Sequence, residues 1–534
     1  MKTRPHPLIL LSLLLLVAGI VGYFTTRLDD KKTVKSPEKV SSTNSVTKLS
    51  LPENKPLQRS QRRSIDAAFI DETPPHALKN ERIVVFEDEE AYKRFLASLK
   101  ERGLTLIGRS DRLRAARVGF NSLTGLDDID GAELGFNYQV GLPTPPQGSV
   151  QDGAVGFGLS ALSFLGINVD NSAWGEGVKV AVIDSGVNEH IAFEGGVTKL
   201  ELTTLSEGVE QLSHGTAVAS IISGDINLTP GVAPASEILS IRVTNDSGTA
   251  DAFTLATGII AAVEAGAQIL NISLGTFANS SVVANAVAFA QESGSVIVAS
   301  SGNEGLGVLA FPAAYEGVVS VGAVEAAGDH LDFSNSGTGL SITAPGLQVN
   351  AAWGDGQLTG FSGTSASAPF VSGAIAATMS ENPSLSAQQA ADLVVSLASD
   401  AGLPGADVDF GTGILDVGRV MENGTPGIFD AAVTGQVLVA PDNSTTLPHV
   451  LVTVQNQGTE TLINSPVTIT SPSGLREVNV SSLFPGQTQS FQVPIAIPKN
   501  GDAVEVTTAI STPSGDIDSS NDSRSTSFSQ EVEE

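Results

Sequence analysis

The sequence predicts an α/β protein built on a doubly wound parallel sheet, preceded by a small α+β unit and followed by an all-β sandwich. Three observations carry this reading. From Trp174 onward, β-branched runs alternate with Ala-rich stretches of helical length, as expected of a parallel sheet covered on both faces. Residues 81–139 hold a shorter mixture of the same two patterns. After Gly427 the helical stretches stop, and apolar residues alternate with polar ones between turn clusters spaced a dozen or so residues apart.

In chain order, Leu8–Phe24 is a nearly all-apolar run after Lys2 and Arg4, so 1–24 reads as a signal peptide or membrane anchor and the chain as exported. Lys31, Lys32, Lys35 and Lys39 count against export by the positive-inside rule, but the run has no domain to belong to. Polar, Lys- and Ser-bearing residues make 25–80 a flexible spacer. In the unit at 81–139, Arg82–Phe86 is a strand and Asp88 caps a helix running through about Arg102. Two short strands follow at Leu104–Gly108 and Leu113–Val118. The Pro- and Gly-rich run 140–153 is a linker. The central domain, 154–425, has strands at Val178–Asp184, Glu237–Val243, Gln268–Ser273, Ser295–Ser300 and Val318–Val324, with helices at Ala252–Ala265 and Ser281–Ser293 between them. In the sandwich, 427–534, Val450, Val452 and Val454 share one face, as do Phe491, Val493 and Ile495.

Charge and composition exclude several functions. Lys+Arg number 29 against 58 Asp+Glu, a net charge of −29, which argues against a nucleic-acid binder that needs a basic face. The imbalance is concentrated between Trp174 and Thr425, with 4 basic and 26 acidic residues. The absence of Cys removes disulfides, thiol catalysis and Cys zinc sites, and 6 His are few for a His-rich metal enzyme.

Four short stretches carry chemistry. VKVAVIDSG places Asp184 at the end of a buried strand. HGTAVAS places His214 at the start of a small-residue helix. GTSASAP places Ser365 ahead of an Ala-rich helix, and ASSGNEG places Asn303 in a Gly-flanked turn after a strand. Singly, each residue is more often a cap or turn residue. The GTSxSxP pattern alone, however, should arise by chance in a chain of this composition with odds on the order of 10⁻³. A serine hydroxyl needs a base to take its proton, and the base needs a partner to fix its tautomer. Ser365, His214 and Asp184 supply those roles. Backbone N–H groups at the helix start and the Asn303 amide supply donors for an oxyanion.

With these motifs in the order Asp, His, Ser, residues 155–420 resemble the subtilisin-like serine peptidases. The resemblance implies a serine endopeptidase acting on polypeptides through an acyl-enzyme, with Asp184, His214 and Ser365 as triad and Asn303 as oxyanion donor. It also implies that Ser273, Leu274 and Gly275 pair with substrate. Ala299, Ser300, Ser301 and Gly302 join them in walling the primary pocket, with Ala310 as its floor. All of these are uncharged, so apolar residues are expected before the scissile bond. The unit at 81–139 is similar to the family's propeptide, chaperone and inhibitor of its own protease. The tail is similar to bacterial adhesion-related sandwich domains, which implies a surface ligand as a further partner. No cofactor is required. The family's calcium carboxylate after the catalytic Asp is replaced by Ala192, and the loop Gly224–Pro230 is short, which puts the usual structural calcium site in doubt.

Other patterns in the sequence are weaker. Asp184-Ser185-Gly186 and Asp246-Ser247-Gly248 match an aspartic-protease pattern, but 62 residues is too little for two lobes. The G-x-G-x-x-A runs at Gly156 and Gly305 lack the strand, helix and acidic residue of a dinucleotide site. From another class, the chain reads as an adhesin or scaffold whose protease part only matures itself.

Overall fold

The computed structural model describes residues 73–143, 153–193, 196–226, 228–440, 448–498 and 502–529. The expected leader, most of the spacer and most of the 140–153 linker lie outside them. Among the described residues no helix is long and apolar enough to cross a membrane.

β1 (Glu81–Phe86), α1 (Glu89–Ser98), β2 (Leu104–Ser110), β3 (Ala115–Phe120) and β4 (Ala132–Gly135) form an antiparallel sheet, order β2-β3-β1-β4, with one helix. The carboxylate of Asp88 accepts the N–H of Glu90 and starts α1. The helix ends at Ser98, a turn before Arg102, because Gly103 at φ 69° bends the chain into β2. β3 begins at Ala115 rather than Leu113, since Arg114 turns back on Asp111 with φ 46°. Both faces of β1 are buried. Val84 and Phe86 pack on Ala91, Tyr92 and Phe95 of α1, while Ile83 and Val85 belong to the core of the central domain.

The chain continues through β5 (Gln139–Gly141), α2 (Ala161–Phe164), β6 (Lys179–Asp184), β7 (Thr198–Glu201), α3 (His214–Ser223), β8 (Asp225–Ile226), β9 (Thr229–Pro230), β10 (Glu237–Arg242) and β11 (Thr249–Asp251). Next come α4 (Ala252–Glu264), β12 (Ile269–Ile272), α5 (Ser281–Glu292), β13 (Val296–Ser300), β14 (Val319–Val324) and β15 (Ile342–Pro345). The hairpin β16 (Val349–Trp353) and β17 (Gln357–Phe361), then α6 (Thr364–Glu381), α7 (Ala387–Ser396) and α8 (Val417–Glu422), complete the domain.

Seven of these strands form a parallel sheet in the order β15-β14-β13-β12-β6-β10-β7. β6 shows why its sequence is apolar throughout: Val180 and Val182 enter the core shared with α3, α6 and α7, and Ala181 and Ile183 the core shared with α4 and α5. β12 to β15 run outward from β6 in chain order on one side, while β10 and the edge strand β7 lie on the other, so the order reverses at β6, and a crevice opens at the carboxyl ends. α6 crosses the core with Thr364–Met379 all buried, which explains its lack of a polar face. Val140 and Gly141, expected in the linker, are instead part of β5, paired antiparallel with β11.

β18 (Ala431–Val439), β19 (His449–Asn456), β20 (Leu462–Ser471), β21 (Gly474–Leu483), β22 (Thr488–Pro494), β23 (Val504–Ile510) and β24 (Ser523–Phe528) form two antiparallel sheets, β18-β19-β22 and β21-β20-β23-β24. Val450, Val452, Val454 and Val493 from the first meet Val467, Ile469, Val480 and Val506 from the second in one core.

Candidate active site

The carboxyl ends of β6, β12 and β13 and the starts of α3 and α6 converge. Asp184 is the last residue of β6 and is fully buried. Its Oδ1 accepts the N–H of Ser185 at 2.6 Å, and its two oxygens lie 2.9 and 3.0 Å from Nδ1 of His214. A carboxylate on Nδ1 fixes the proton there and leaves Nε2 as the acceptor. The ring is braced edge-on by Phe361, 5.1 Å away. Gly215 must follow His214, because a Cβ there would stand 2.4 Å from the Gly186 carbonyl.

Ser365 is the second residue of α6, so it lies within the helix's first turn rather than ahead of it. It is buried, and its Oγ donates to the Ser273 carbonyl at 3.3 Å. Pro369 of the same motif has no N–H for the Ser365 carbonyl four residues back. Ser273 Oγ donates to that carbonyl instead, at 3.4 Å, and itself accepts from Asn271 Nδ2. The strand end before the pocket is thereby tied to the turn that carries Ser365.

Asn303 stands in the turn after β13. Its Oδ1 accepts both the N–H and the hydroxyl of Thr364, each at 2.9 Å, which orients the amide and turns Nδ2 toward Gly363. A Cβ on Gly363, where φ is 123°, would lie 2.7 Å from that Nδ2. The part of Thr364 in holding Asn303 needs the turn and the helix start side by side, which the sequence does not show.

Gly275, Ser300, Gly302 and Ala310 line a cavity of about 570 Å³ beside these groups. Leu274, Ala299 and Ser301 are buried behind the wall. The cavity also takes in Glu304, which the uncharged set left out. Glu304 Oε2 accepts the Asn303 N–H at 2.9 Å and Asn335 Nδ2 at 3.0 Å, which holds the carboxylate against the turn.

Elsewhere, the Ala192 carbonyl accepts the N–H of Asp225, and the segment after α3 closes as the small β8–β9 pair. No group of three or more His, Asp or Glu is placed to hold a metal ion among the described residues.

Residues 175–413 match the model of the Subtilase family. Subtilisin Savinase of Lederbergia lenta is 34% identical over 232 residues, 43% of this chain and 86% of the relative. Subtilisin DY of Bacillus licheniformis is 33% identical over 252 residues, 46% of this chain and 90% of the relative. Among solved structures, fervidolysin from Fervidobacterium pennivorans, described as a keratinolytic enzyme related to subtilisin, superposes with a TM-score of 0.55. It does so at 19% identity, over 86% of this chain and 77% of fervidolysin, a likeness of fold. With a parallel sheet carrying Asp, His and Ser motifs in this order, and subtilisins matched over most of their length, the chain belongs to the subtilase family of serine endopeptidases.

Proposed function

We propose that Ser365 is the nucleophile, His214 its general base, Asp184 the group that holds the imidazole, and Asn303 an oxyanion donor. The observation that carries this is the buried Asp184 carboxylate on Nδ1 of His214, at the crevice where α6 presents Ser365. Rotation of Ser365 about χ1 takes its hydroxyl from the Ser273 carbonyl to Nε2 of His214. As Oγ bonds to the substrate carbonyl, the proton passes to Nε2, and the developing oxyanion is received by the first-turn N–H groups of α6 and by Asn303 Nδ2. The protonated imidazole then gives its proton to the leaving amine, and water hydrolyses the acyl-enzyme. Preference for apolar side chains follows from the uncharged walls over Ala310, because burial of Leu or Met gains roughly 1.5–3 kcal/mol. Glu304, already accepting two hydrogen bonds, gives a Lys head only a secondary hold. The apolar run at 8–24 supports export, and the packing of 81–139 on the protease supports a propeptide role.

Ser365→Ala is the test. The purified full chain should lose peptide hydrolysis and stay unprocessed while keeping its thermal midpoint. Normal turnover by this variant would overturn the assignment.

A further inference from the structure

The turn that carries Asn303 is fastened to one side chain far along the sequence. Asn335 lies in the loop between β14 and β15 and is fully buried. Its Oδ1 accepts the N–H groups of Glu304 and Leu306, at 3.1 and 2.9 Å. Its Nδ2 donates to the Ser301 carbonyl at 3.2 Å and to Glu304 Oε2 at 3.0 Å. A side-chain amide has two donors and two acceptor sites, and all four are used here, which fixes the orientation of the group. Backbone bonds lace the same two segments together. The Asn335 N–H donates to the Gly302 carbonyl at 3.0 Å, the Gly305 N–H to the Phe333 carbonyl at 2.8 Å, and the Ser336 N–H to the Leu306 carbonyl at 2.9 Å. A Cβ on Gly302, where φ is 113°, would collide with Asn335 Nδ2, so that glycine serves the close approach as well as the turn.

Glu304 stands between this amide and the reacting groups. Its Oε2 accepts from Asn335 Nδ2 and from the Asn303 N–H, and its side also lines the cavity of about 570 Å³ that holds Ala310. One carboxylate therefore borders both the oxyanion turn and the pocket. Asn335 supplies a neutral donor that draws it to the turn, and a hydrogen bond to an ionised group is stronger than one between neutral groups.

We propose that Asn335 is a positioning residue for both rate and selectivity: through Glu304 it holds the backbone of Asn303 in place, and it keeps the Glu304 carboxylate on the turn instead of on a cationic side chain in the pocket. This rests on Ser365 being the nucleophile and Asn303 an oxyanion donor. The oxyanion exists only in the transition state, so slack at Asn303 lowers kcat and leaves KM for an apolar substrate alone. Asn335→Asp keeps the shape and the acceptor for Glu304 and Leu306. It sets a second oxygen where Nδ2 stood, against the Ser301 carbonyl and the Glu304 carboxylate, and like charges at that distance push Glu304 away.

The test is a double-mutant cycle on chains expressed in full: wild type, Asn335→Asp, Glu304→Gln and the double variant. Steady-state kinetics are measured with two chromogenic peptides, carrying Leu or Lys before the scissile bond, below the thermal midpoint of each protein. On the Leu peptide Asn335→Asp should lower kcat about tenfold with KM nearly unchanged. Its kcat/KM for Lys relative to Leu should rise about fivefold, as the carboxylate leaves the amide for the pocket. In the Glu304→Gln background the new carboxylate meets a neutral amide that can donate to it, and kcat should fall less than about threefold. Equal losses in the two backgrounds, a loss confined to KM, or an unchanged ratio of Lys to Leu would overturn the proposal. If Asn335→Asp does not fold, Asn335→Ser, too short to reach Glu304, should show the same fall in kcat at constant KM, and a fall in KM terms alone would overturn it equally. Turnover by Ser365→Ala would instead overturn the assignment of the nucleophile beneath it.

Discussion

Thr364 works through its neighbours. Its hydroxyl donates to Asn303 Oδ1 and accepts the Gly302 N–H, at 2.9 and 3.3 Å, so it ties the turn after β13 to the first turn of α6. Thr364→Val keeps the shape and removes both bonds. Asn303 Oδ1 then loses the hydroxyl and keeps the Thr364 backbone N–H, so the amide is held less firmly for an oxyanion that exists only in the transition state. kcat should fall about three- to tenfold with KM unchanged, the signature of a positioning residue, and steady-state kinetics with one peptide will show it. A loss confined to KM would place Thr364 in ground-state binding instead. The motif GTSASAP made the serine legible because each flanking residue has a backbone reason to be small or proline. The partners were not legible, since Asn303 is 61 residues from Thr364 and Ser273 is 92 from Ser365, and they meet the motif only in the fold.

At the scale of elements, the five inner strands of the sheet and the helices α4 and α5 followed the sequence pattern to within a residue or two, because a strand buried on both faces must be apolar throughout, whereas the two edge strands β7 and β15 were not read from the sequence. Ends were less legible. Where α1 stops depends on Gly103, and where β3 starts depends on the turn at Arg114. The contact between the amino-terminal sheet and α4 could not be read at all, since it is made by side chains scattered along the chain. Arg117 on β3 is its polar centre, bonding Glu81 at 2.7 Å and Asp251, the N-cap of α4, at 2.8 Å. All three side chains are less than a fifth exposed. Arg117→Met would leave two shielded carboxylates facing each other, at a cost of about 1–3 kcal/mol. The midpoint of urea unfolding of the unprocessed chain should fall accordingly, whereas Arg109→Met, which breaks an exposed pair with Asp111, should change it little.

At the scale of the whole molecule, acidic side chains from the protease and from the sandwich meet around Asp430. Asp430, at the start of β18, faces Asp416 and Arg419 on the protease and Asp516, Asp518 and Asn521 on the sandwich. Burial, reinforced by Asp516, Asp416 and Asp518 against the opposing Asn521 hydrogen bond, pushes its carboxyl up to about 7. Burial and the neighbouring Asp516 and Asp518 raise Asp522 to about 6. A carboxyl raised on folding binds more protons in the native state than in the unfolded one. Its contribution is therefore complete below the unfolded value near 4 and is lost as pH rises toward 7. For Asp430 this amounts to on the order of 4 kcal/mol. Unfolding free energies measured from pH 4 to 8 should fall with pH more steeply in the wild type than in Asp430→Asn, which keeps an acceptor for Asn521. Parallel profiles would remove Asp430 as the source.

The sequence by itself determined the fold class and the family, and singled out the four residues proposed for catalysis, because hydrophobic period and local backbone demands are written in neighbouring residues. Only the tertiary structure decided what those residues meet: that Gly141 lies on Gly275, that Thr364 holds Asn303, and that Glu304 joins the pocket. These contacts join segments far apart in the chain. Their geometry is set by how the sheet, the helices and the amino-terminal unit pack together, and no local pattern records it.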